Sequence, residues 1–328
     1  AACSERGIPV FNTPGANANA VKELVAAAML LASRDIVGGI AFAQAQDPGM
    51  SAQDMNALME QEKKRFAGAE LAGKTLGVVG LGSIGSLVAR QGLDFGMEVV
   101  GFDPALSVEA AWRLPSEVQR MENVQSLFSR SDFVSLHLPV LDSTRGLVNE
   151  EMLTHFKKGS CLLNFAREEI VLTEAVVAAL DNDQLRCYVA DFPNPMLLGR
   201  TDTLLMPHIG ASTAEAEENC AIMAANQLKA FLEHGNIRNS VNFPAIELER
   251  TTDYRITIAN RNEPGMLSHV LTLIGDEGLN VADLLNKSFG DVAYNIIDLD
   301  EVPQEGLLSK IRTVEGVINL RLIKGTPG

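Results

Sequence analysis

Gly80-Leu81-Gly82-Ser83-Ile84-Gly85 stands where a short apolar run, Leu76 to Val79, meets a helix-forming stretch, Ile84 to Phe95. A strand that turns on glycine into a helix offers backbone N–H groups and the positive helix end to a diphosphate. The first glycine permits the tight turn, Gly82 lets a ligand approach the backbone, and Gly85 lets the helix pack closely on the strand. Asp103 ends the next apolar run, Glu98 to Phe102, where a carboxylate can accept hydrogen bonds from both hydroxyls of an adenosine ribose. Asp there repels a ribose phosphate, so the cofactor expected from the pattern is NAD and not NADP.

Three more stretches fall at the ends of apolar runs, the edge at which open α/β sheets bind ligands. They are His137-Leu138-Pro139 with Thr144-Arg145-Gly146, Asn164-Phe165-Ala166-Arg167, and Pro207-His208-Ile209-Gly210-Ala211-Ser212-Thr213. Hydride transfer from a hydroxy acid needs a cation to clamp the carboxylate and a proton acceptor for the hydroxyl. Arg167 and His208 supply those two types. On spacing alone His208 reads equally as a packed or capping histidine; its place after a strand and before a glycine favours the catalytic role.

The elements that would position these groups follow from periodicity. Apolar residues recur at helical spacing from Asn19 to Ser33, with Asn17 or Asn19 as cap, and Met50 to Phe66 reads as a polar amphipathic helix. That helix ends in Lys63-Lys64-Arg65, whose plain reading is a solvated helix C-terminus favoured by the dipole. From Lys74 onward strands (Leu76 to Val79, Glu98 to Phe102, Phe133 to Leu136, Cys161 to Asn164, Tyr188 to Ala190, Leu204 to Met206) alternate with helices (Ile84 to Phe95, Val124 to Arg130, Asn149 to His155, Thr173 to Asn182). Strand-helix alternation with uninterrupted apolar strands predicts a doubly wound parallel sheet, covered on both faces. Ala214 to His234 reads as one long helix, and Gly235 to Glu249 as a linker with little periodicity. Beyond it the order is strand (Tyr254 to Ala259), helix (Met266 to Glu277), strands (Asn280 to Phe289, Val292 to Leu299), helix (Gln304 to Arg312) and strand (Val317 to Ile323), a ferredoxin-like unit.

Composition removes whole classes of function. The formal net charge of −15 repels nucleic-acid backbones and anionic lipid heads, so neither nucleic acid nor membrane is an expected partner. Val25 to Ala32, the most apolar helical stretch, lies between charged residues and is far shorter than the roughly 20 residues that span a bilayer. Cys3, Cys161, Cys187 and Cys220 have neither zinc-site spacing nor the density of a disulfide scaffold. No metal is expected, the thiols read as buried and inert, and a reducing, cytoplasmic setting fits.

From Ile8 onward the chain resembles the D-isomer-specific 2-hydroxyacid dehydrogenases, in particular the branch acting on 3-phospho-D-glycerate. The resemblance runs through Phe11-Asn12-Thr13-Pro14-Gly15-Ala16-Asn17, the glycine loop, Leu136-His137-Leu138-Pro139, Asn164-Phe165-Ala166-Arg167 and Pro207 to Thr213. It implies NAD-dependent oxidation of a phosphorylated hydroxy acid, 3-phospho-D-glycerate to 3-phosphooxypyruvate, on the way to serine. By the resemblance Arg167 binds the substrate carboxylate, His208 is the proton donor and acceptor, and Asp191 meets the nicotinamide amide. Gly80, Gly82, Ser83, Ile84, Gly85, Asp103, His137, Pro139, Thr144, Phe165 and Ala166 then line the NAD site. Two alternatives stay open: a dehydrogenase of another D-2-hydroxy acid, and a catalytically weak sensor of NAD and an amino acid.

The chain departs from that family at several points. Family members place a Glu shortly after the strand of Asp191 to pair with the histidine, whereas Asp191-Phe192-Pro193-Asn194-Pro195 has none. Glu168, in place of the usual Gly, is a candidate substitute carboxylate whose plain reading is a tolerated surface change, and Leu172 stands where Asp is common. Residues 1–17 read as the remnant of a flavodoxin-like substrate-binding lobe whose N-terminal part is absent. Lys63, Lys64 and Arg65 fall near the family's phosphate-facing helix end. The expected partition is then 18–207 for NAD binding, 208–235 for a return helix, 236–250 for the linker and 251–328 for regulation. This last segment resembles the ACT domains that sense amino acids, with Asn260, Asn262 and Asn280 at the effector-contacting positions and L-serine as the implied effector. Its open sheet edge implies a homo-oligomer.

Overall fold

A computed structural model describes residues 2–112 and 114–325, so the last three residues of the segment 251–328 lie outside it. The chain divides into two compact units, residues 17–217 and residues 1–16 with 218–328.

In the first unit, α1 (Ala18–Ser33), α2 (Ile36–Gln44) and α3 (Ala52–Glu62) precede seven strands. The strands are β1 (Thr75–Val79), β2 (Glu98–Phe102), β3 (Gln119–Arg120), β4 (Phe133–Leu136), β5 (Ser160–Asn164), β6 (Leu185–Ala190) and β7 (Thr203–Leu205). Helices α4 (Ser83–Asp94), α5 (Val108–Ala111), α6 (Val124–Arg130), α7 (Glu150–Leu153) and α8 (Thr173–Asp181) join them. All strand pairs are parallel and the order is β3-β2-β1-β4-β5-β6-β7. The order reverses between β1 and β4, and this switch point places the crevice for a ligand. One face packs Val25, Met29, Val88 and Leu163 beneath α1 and α4; the other packs Leu127, Phe128, Leu162 and Val176 beneath α6 and α8. Central strands buried on both faces are why their sequences are continuous apolar runs rather than alternating ones.

The two-sided parallel sheet agrees with the expected fold class, and three details differ from expectation. The Met50 to Phe66 helix starts at Ala52, capped by Ser51, whose Oγ accepts from the Asp54 amide, and it tightens into a 3-10 turn over Lys63–Phe66. Helix α2 is not expected from the sequence and buries none of its residues. Asn17 occupies the N-cap of α1 without a side-chain hydrogen bond, while Asn19 lies inside the helix and donates to Glu23.

In the second unit, β8 (Tyr254–Arg261), α10 (Met266–Asp276), β9 (Val281–Phe289), β10 (Val292–Leu299), α11 (Glu305–Arg312) and β11 (Val317–Lys324) follow α9 (Ala214–His234). The sheet is antiparallel in the order β11-β8-β10-β9, the ferredoxin-like arrangement. Ile256, Ile258, Ile274 and Leu308 fill one face under the two helices. The other face is not bare: Ile237, Phe243 and Ile246, from the aperiodic 235–249 stretch, pack with Tyr294 and Ile296. Residues 11 and 12 also belong here, with Phe11 against Phe231 and the Gln227 side chain donating to the Asn12 carbonyl. Arg255 is wholly buried; it pairs with Asp298 and donates to the carbonyls of His234, Leu248 and Glu249.

Candidate active site

The glycine turn, Asp103, His137, Arg167, Asp191 and His208 all lie at the C-terminal edge of the parallel sheet, whereas the basic cluster Lys63-Lys64-Arg65 does not. Gly80 leaves β1 at φ +89°, and a Cβ there would stand 2.5 Å from the His137 carbonyl oxygen, so only glycine fits where β1 and β4 part. Gly85 is tighter still, since an added Cβ would lie 1.8 Å from the Gly80 carbonyl oxygen. That contact brings the start of α4 directly onto the turn. Gly82 faces open space, with nothing within 4 Å of the place a Cβ would take, and it leads into the first-turn amides of Ser83, Ile84 and Gly85. First-turn N–H groups have no intrahelical acceptor, so an open side at Gly82 beside them fits a diphosphate.

Asp103 follows β2 as expected. Its Oδ2 accepts from the Leu81 amide at 2.8 Å and its Oδ1 from the Ala105 amide at 2.9 Å, which fixes the carboxylate beside the glycine turn. It borders a cavity of about 680 Å³ whose walls include Pro104, Leu106, Trp112 and Val118, an apolar slot next to the acid that the sequence pattern assigns to a ribose. Each carboxylate oxygen keeps a lone pair for a hydroxyl donor. Across the switch point, the amide of His137 donates to the Val79 carbonyl, and its Nε2 lies 2.8 Å from Ser135 Oγ. Nδ1 is buried without a partner although the residue keeps part of its surface open, and burial pulls the imidazole down to about 3. A neutral ring thus presents one buried, unpartnered nitrogen beside the crevice. Thr144 Oγ1 donates to the Pro139 carbonyl at 2.6 Å and accepts from the Leu141 amide, closing the loop after β4.

Arg167 is presented by a turn after β5. Buried Asn164 organises that turn: its Oδ1 accepts from the Ala166 amide and its Nδ2 donates to the Arg167 carbonyl. Phe165 and Ala166 are buried while the Arg167 side chain is exposed, its Nη1 donating to the Ala166 carbonyl at 2.7 Å.

His208 lies past β7, exposed, with φ +57°, a left-handed conformation that costs a residue carrying Cβ about 1–2 kcal/mol. The restraint that holds it there is Asp191, at the end of β6. This carboxylate is 3% exposed; Oδ1 accepts from the Ile209 amide at 2.8 Å and Oδ2 from the Gly210 amide at 2.6 Å. Gly210 is required for the approach, since a Cβ would fall 2.8 Å from Asp191 Oδ2. Sequence reasoning marks Asp191 for a nicotinamide contact and misses this grip, along with the organising part of Asn164. The one available signal is an Asn at a strand end, a residue favoured in turns.

Among the described residues no carboxylate pairs with His208. Its ring instead lies 4.9 Å from that of Phe192. Glu168, the substitute suggested by the sequence, accepts from Asn194 Nδ2 at 3.4 Å. In the basic cluster, Lys63 pairs with Glu60 and Arg65 with Glu62, and Arg65 also lies over the rings of Phe42 and Phe66. The described residues hold no group of three or more His, Cys, Asp or Glu suited to a metal, and no single helix among them is long and apolar enough to cross a membrane.

The expected effector residues belong to the second unit and are not brought together within one chain. Asn260, buried, donates to the Arg261 carbonyl and accepts from Asn295; Asn262 donates to the Gly290 carbonyl. Asn280 donates to Asp300 at the opposite end of the sheet, seven residues on from Ala293, the partner of Asn260, or about 23 Å at 3.3–3.4 Å per residue.

Comparison with known proteins finds one family throughout. The family described as D-isomer specific 2-hydroxyacid dehydrogenase, NAD binding domain, matches residues 27–210. A D-3-phosphoglycerate dehydrogenase from Haemophilus influenzae is 30% identical over 98% of this chain and 77% of its own length. Among solved structures, the apo D-mandelate dehydrogenase of Rhodotorula graminis superposes with a TM-score of 0.63 at 26% identity, covering 72% of this chain and 69% of that one. An NAD+-bound 3-phosphoglycerate dehydrogenase from Entamoeba histolytica gives 0.56 at 25% identity, over 75% and 71%.

Proposed function

The chain belongs to the D-isomer-specific 2-hydroxyacid dehydrogenase family, and from that premise we propose that it oxidises 3-phospho-D-glycerate to 3-phosphooxypyruvate with NAD, a step that feeds serine synthesis. It is an NAD-dependent D-2-hydroxyacid dehydrogenase, and NAD, when bound, supplies the acceptor for the hydride. The residues that would hold it are Gly80, Gly82, Ser83, Ile84 and Gly85 at the diphosphate, Asp103 at the ribose, and the loops of His137, Pro139, Thr144, Phe165 and Ala166 beyond. The Arg167 guanidinium holds the substrate carboxylate in a planar, two-point clamp. His208 takes the hydroxyl proton as the carbonyl forms and returns it in the reverse direction. The observation that carries this reading is the left-handed His208, gripped through its neighbours by buried Asp191 on the edge that also presents Arg167 and the glycine turn.

NADH formation from 3-phospho-D-glycerate, measured beside D-glycerate and other D-2-hydroxy acids, tests the substrate. The phosphorylated acid should win in kcat/KM by at least about tenfold, the scale of a few polar contacts; preference for an unphosphorylated acid refutes the substrate while leaving the reaction class. Arg167→Ala and His208→Ala should each abolish NADH formation. Activity surviving in both overturns the site.

Regulation by an amino acid such as L-serine is the second part of the proposal, supported by the ferredoxin-like unit and its open β9 edge. Because Asn280 lies far from Asn260 and Asn262, an effector site made of all three requires a second copy of the chain. Exposed Val37 and Ile40 on α2 also favour a homo-oligomer. Calorimetry with L-serine should give saturable binding that Asn262→Ala weakens; no heat at millimolar serine discards this part.

A further inference from the structure

We propose that Cys161 and Cys187 form a dithiol site that peroxides oxidise reversibly to a disulfide across neighbouring strands. The two residues are register partners on β5 and β6. Paired residues of adjacent parallel strands share a face and stand about 4.8 Å apart, inside the roughly 4.4–6.8 Å separation of Cα atoms that a disulfide spans. The bond therefore closes without a change of strand register.

The surroundings are unlike those of an inert core thiol. Arg186, next to Cys187 on β6, donates from Nη2 to Cys161 Sγ at 3.0 Å and from Nη1 to the Ala32 carbonyl at the end of α1. Hydrogen bonding from the Cys187 thiol, helped by the Arg186 charge and opposed by burial, holds the Cys161 thiol below its usual range. The same hydrogen bond and burial push Cys187 up. The pair is thus polarised, with Cys161 as nucleophile and Cys187 as the proton-bearing partner. Cys187 lines a cavity of about 490 Å³ together with Arg34, Lys74, Asp132, Arg186 and Asp202, which brings a water-sized oxidant to the Cys187 side of the pair, next to the buried Cys161. The remaining cysteines differ: Cys3 is exposed and Cys220 half-buried, so the expectation of four buried thiols holds for two.

The chemistry balances with a hydroperoxide as oxidant. Cys161 sulfur attacks one peroxide oxygen, the O–O bond breaks, and Cys161 becomes a sulfenic acid as one water, or an alcohol, leaves. Cys187 sulfur then attacks the sulfenic sulfur and expels water, so two electrons pass from two thiols to the peroxide and a disulfide remains. An external dithiol reverses it. Both cysteines sit in the first half of their strands, away from the edge that carries Arg167 and Asp191.

The test uses the whole protein with Cys3→Ser and Cys220→Ser, so that only the pair can react. Dilute hydrogen peroxide should produce a Cys161–Cys187 cross-linked peptide, lighter by two hydrogens and restored by dithiothreitol, with NADH affinity kept within about twofold. Arg186→Met should slow its formation by about tenfold, the loss expected when the stabilising charge leaves a thiolate. Should that variant misfold, the unsubstituted protein carries the same peptide readout. Two free thiols after peroxide treatment, sulfinic acid on Cys161 without a cross-link, or loss of NADH binding on oxidation would each overturn the proposal.

Discussion

Replacing Asp191 by Asn separates two roles for one carboxylate: anchoring the His208 loop, or meeting the nicotinamide amide. In the structure both oxygens already accept backbone N–H groups, from Ile209 and Gly210, in a buried setting. Hydrogen bonds to a charged group contribute about 1.5–3 kcal/mol each. Asn retains one acceptor and turns an NH2 donor toward the second amide, so the anchor weakens by roughly 2.5–6 kcal/mol, one lost bond of about 1.5–3 plus one unsatisfied buried donor of about 1–3. Release of the left-handed strain at His208 adds about 1 kcal/mol in favour of detachment. A detached loop misplaces the imidazole by an ångström or more, for which a fall in kcat of about 100-fold is the expected scale. Steady-state kinetics give kcat, and fluorescence titration gives the NADH affinity. The expectation is a kcat near 1% of the parent value with NADH affinity within about threefold. A kcat within twofold of the parent, together with an NADH affinity weakened tenfold or more, would refute the anchoring argument and assign the carboxylate to the cofactor.

Gly82→Ala and Gly85→Ala should part in behaviour. The open side at Gly82 accepts a methyl, so the melting temperature holds while NADH binding weakens by about tenfold or more; at Gly85 the 1.8 Å clash should lower stability by about 1–3 kcal/mol as well, read by thermal melts. His137, held to about 3 in the fold against about 6.5 in an unfolded chain, stays neutral while the unfolded state takes up a proton. Its contribution is therefore present above pH 6.5 and drains away as pH falls toward 3, about 1–2 kcal/mol between pH 7 and 5. Urea unfolding at both pH values should show that loss reduced in His137→Gln; parallel curves would contradict it. Arg255→Met strands the wholly buried Asp298 and orphans three carbonyls, at a cost of about 3–5 kcal/mol to the second unit, and Arg255→Met with Asp298→Leu should recover most of it in a chemical denaturation series.

The sequence makes several elements legible: β2, β4, α6, α9 and β10 lie at the expected residues, the strands as uninterrupted apolar runs bounded by polar or turn residues and the helices by helical spacing and composition. Helix α2 is not legible, since Ile36-Val37-Gly38-Gly39-Ile40-Ala41-Phe42 is apolar on every side and carries two glycines, leaving no stripe to detect. The stretch 235–249 reads as a bare linker because Ile237, Phe243 and Ile246 bury themselves at irregular spacing. At the candidate site, residue types and their order along the chain single out the glycine turn, Asp103, Arg167 and His208, which the structure brings to one sheet edge. The contacts that make them work are hidden. Asp191 reaches amides 18 and 19 residues on only because β6 and β7 are neighbours, and Cys161 meets Cys187 only through the β5–β6 register. Long-range pairing of this kind leaves no local signal.

Titration of the purified protein with NADH, followed by nicotinamide fluorescence, tests most directly whether the glycine turn, the α4 terminus and Asp103 form a dinucleotide site. Saturable binding tighter than about 1 mM, abolished by Gly82→Val and not competed by equal NADP, is the predicted result. No binding up to that concentration would contradict the assignment of the crevice and the hydride-transfer chemistry built on it.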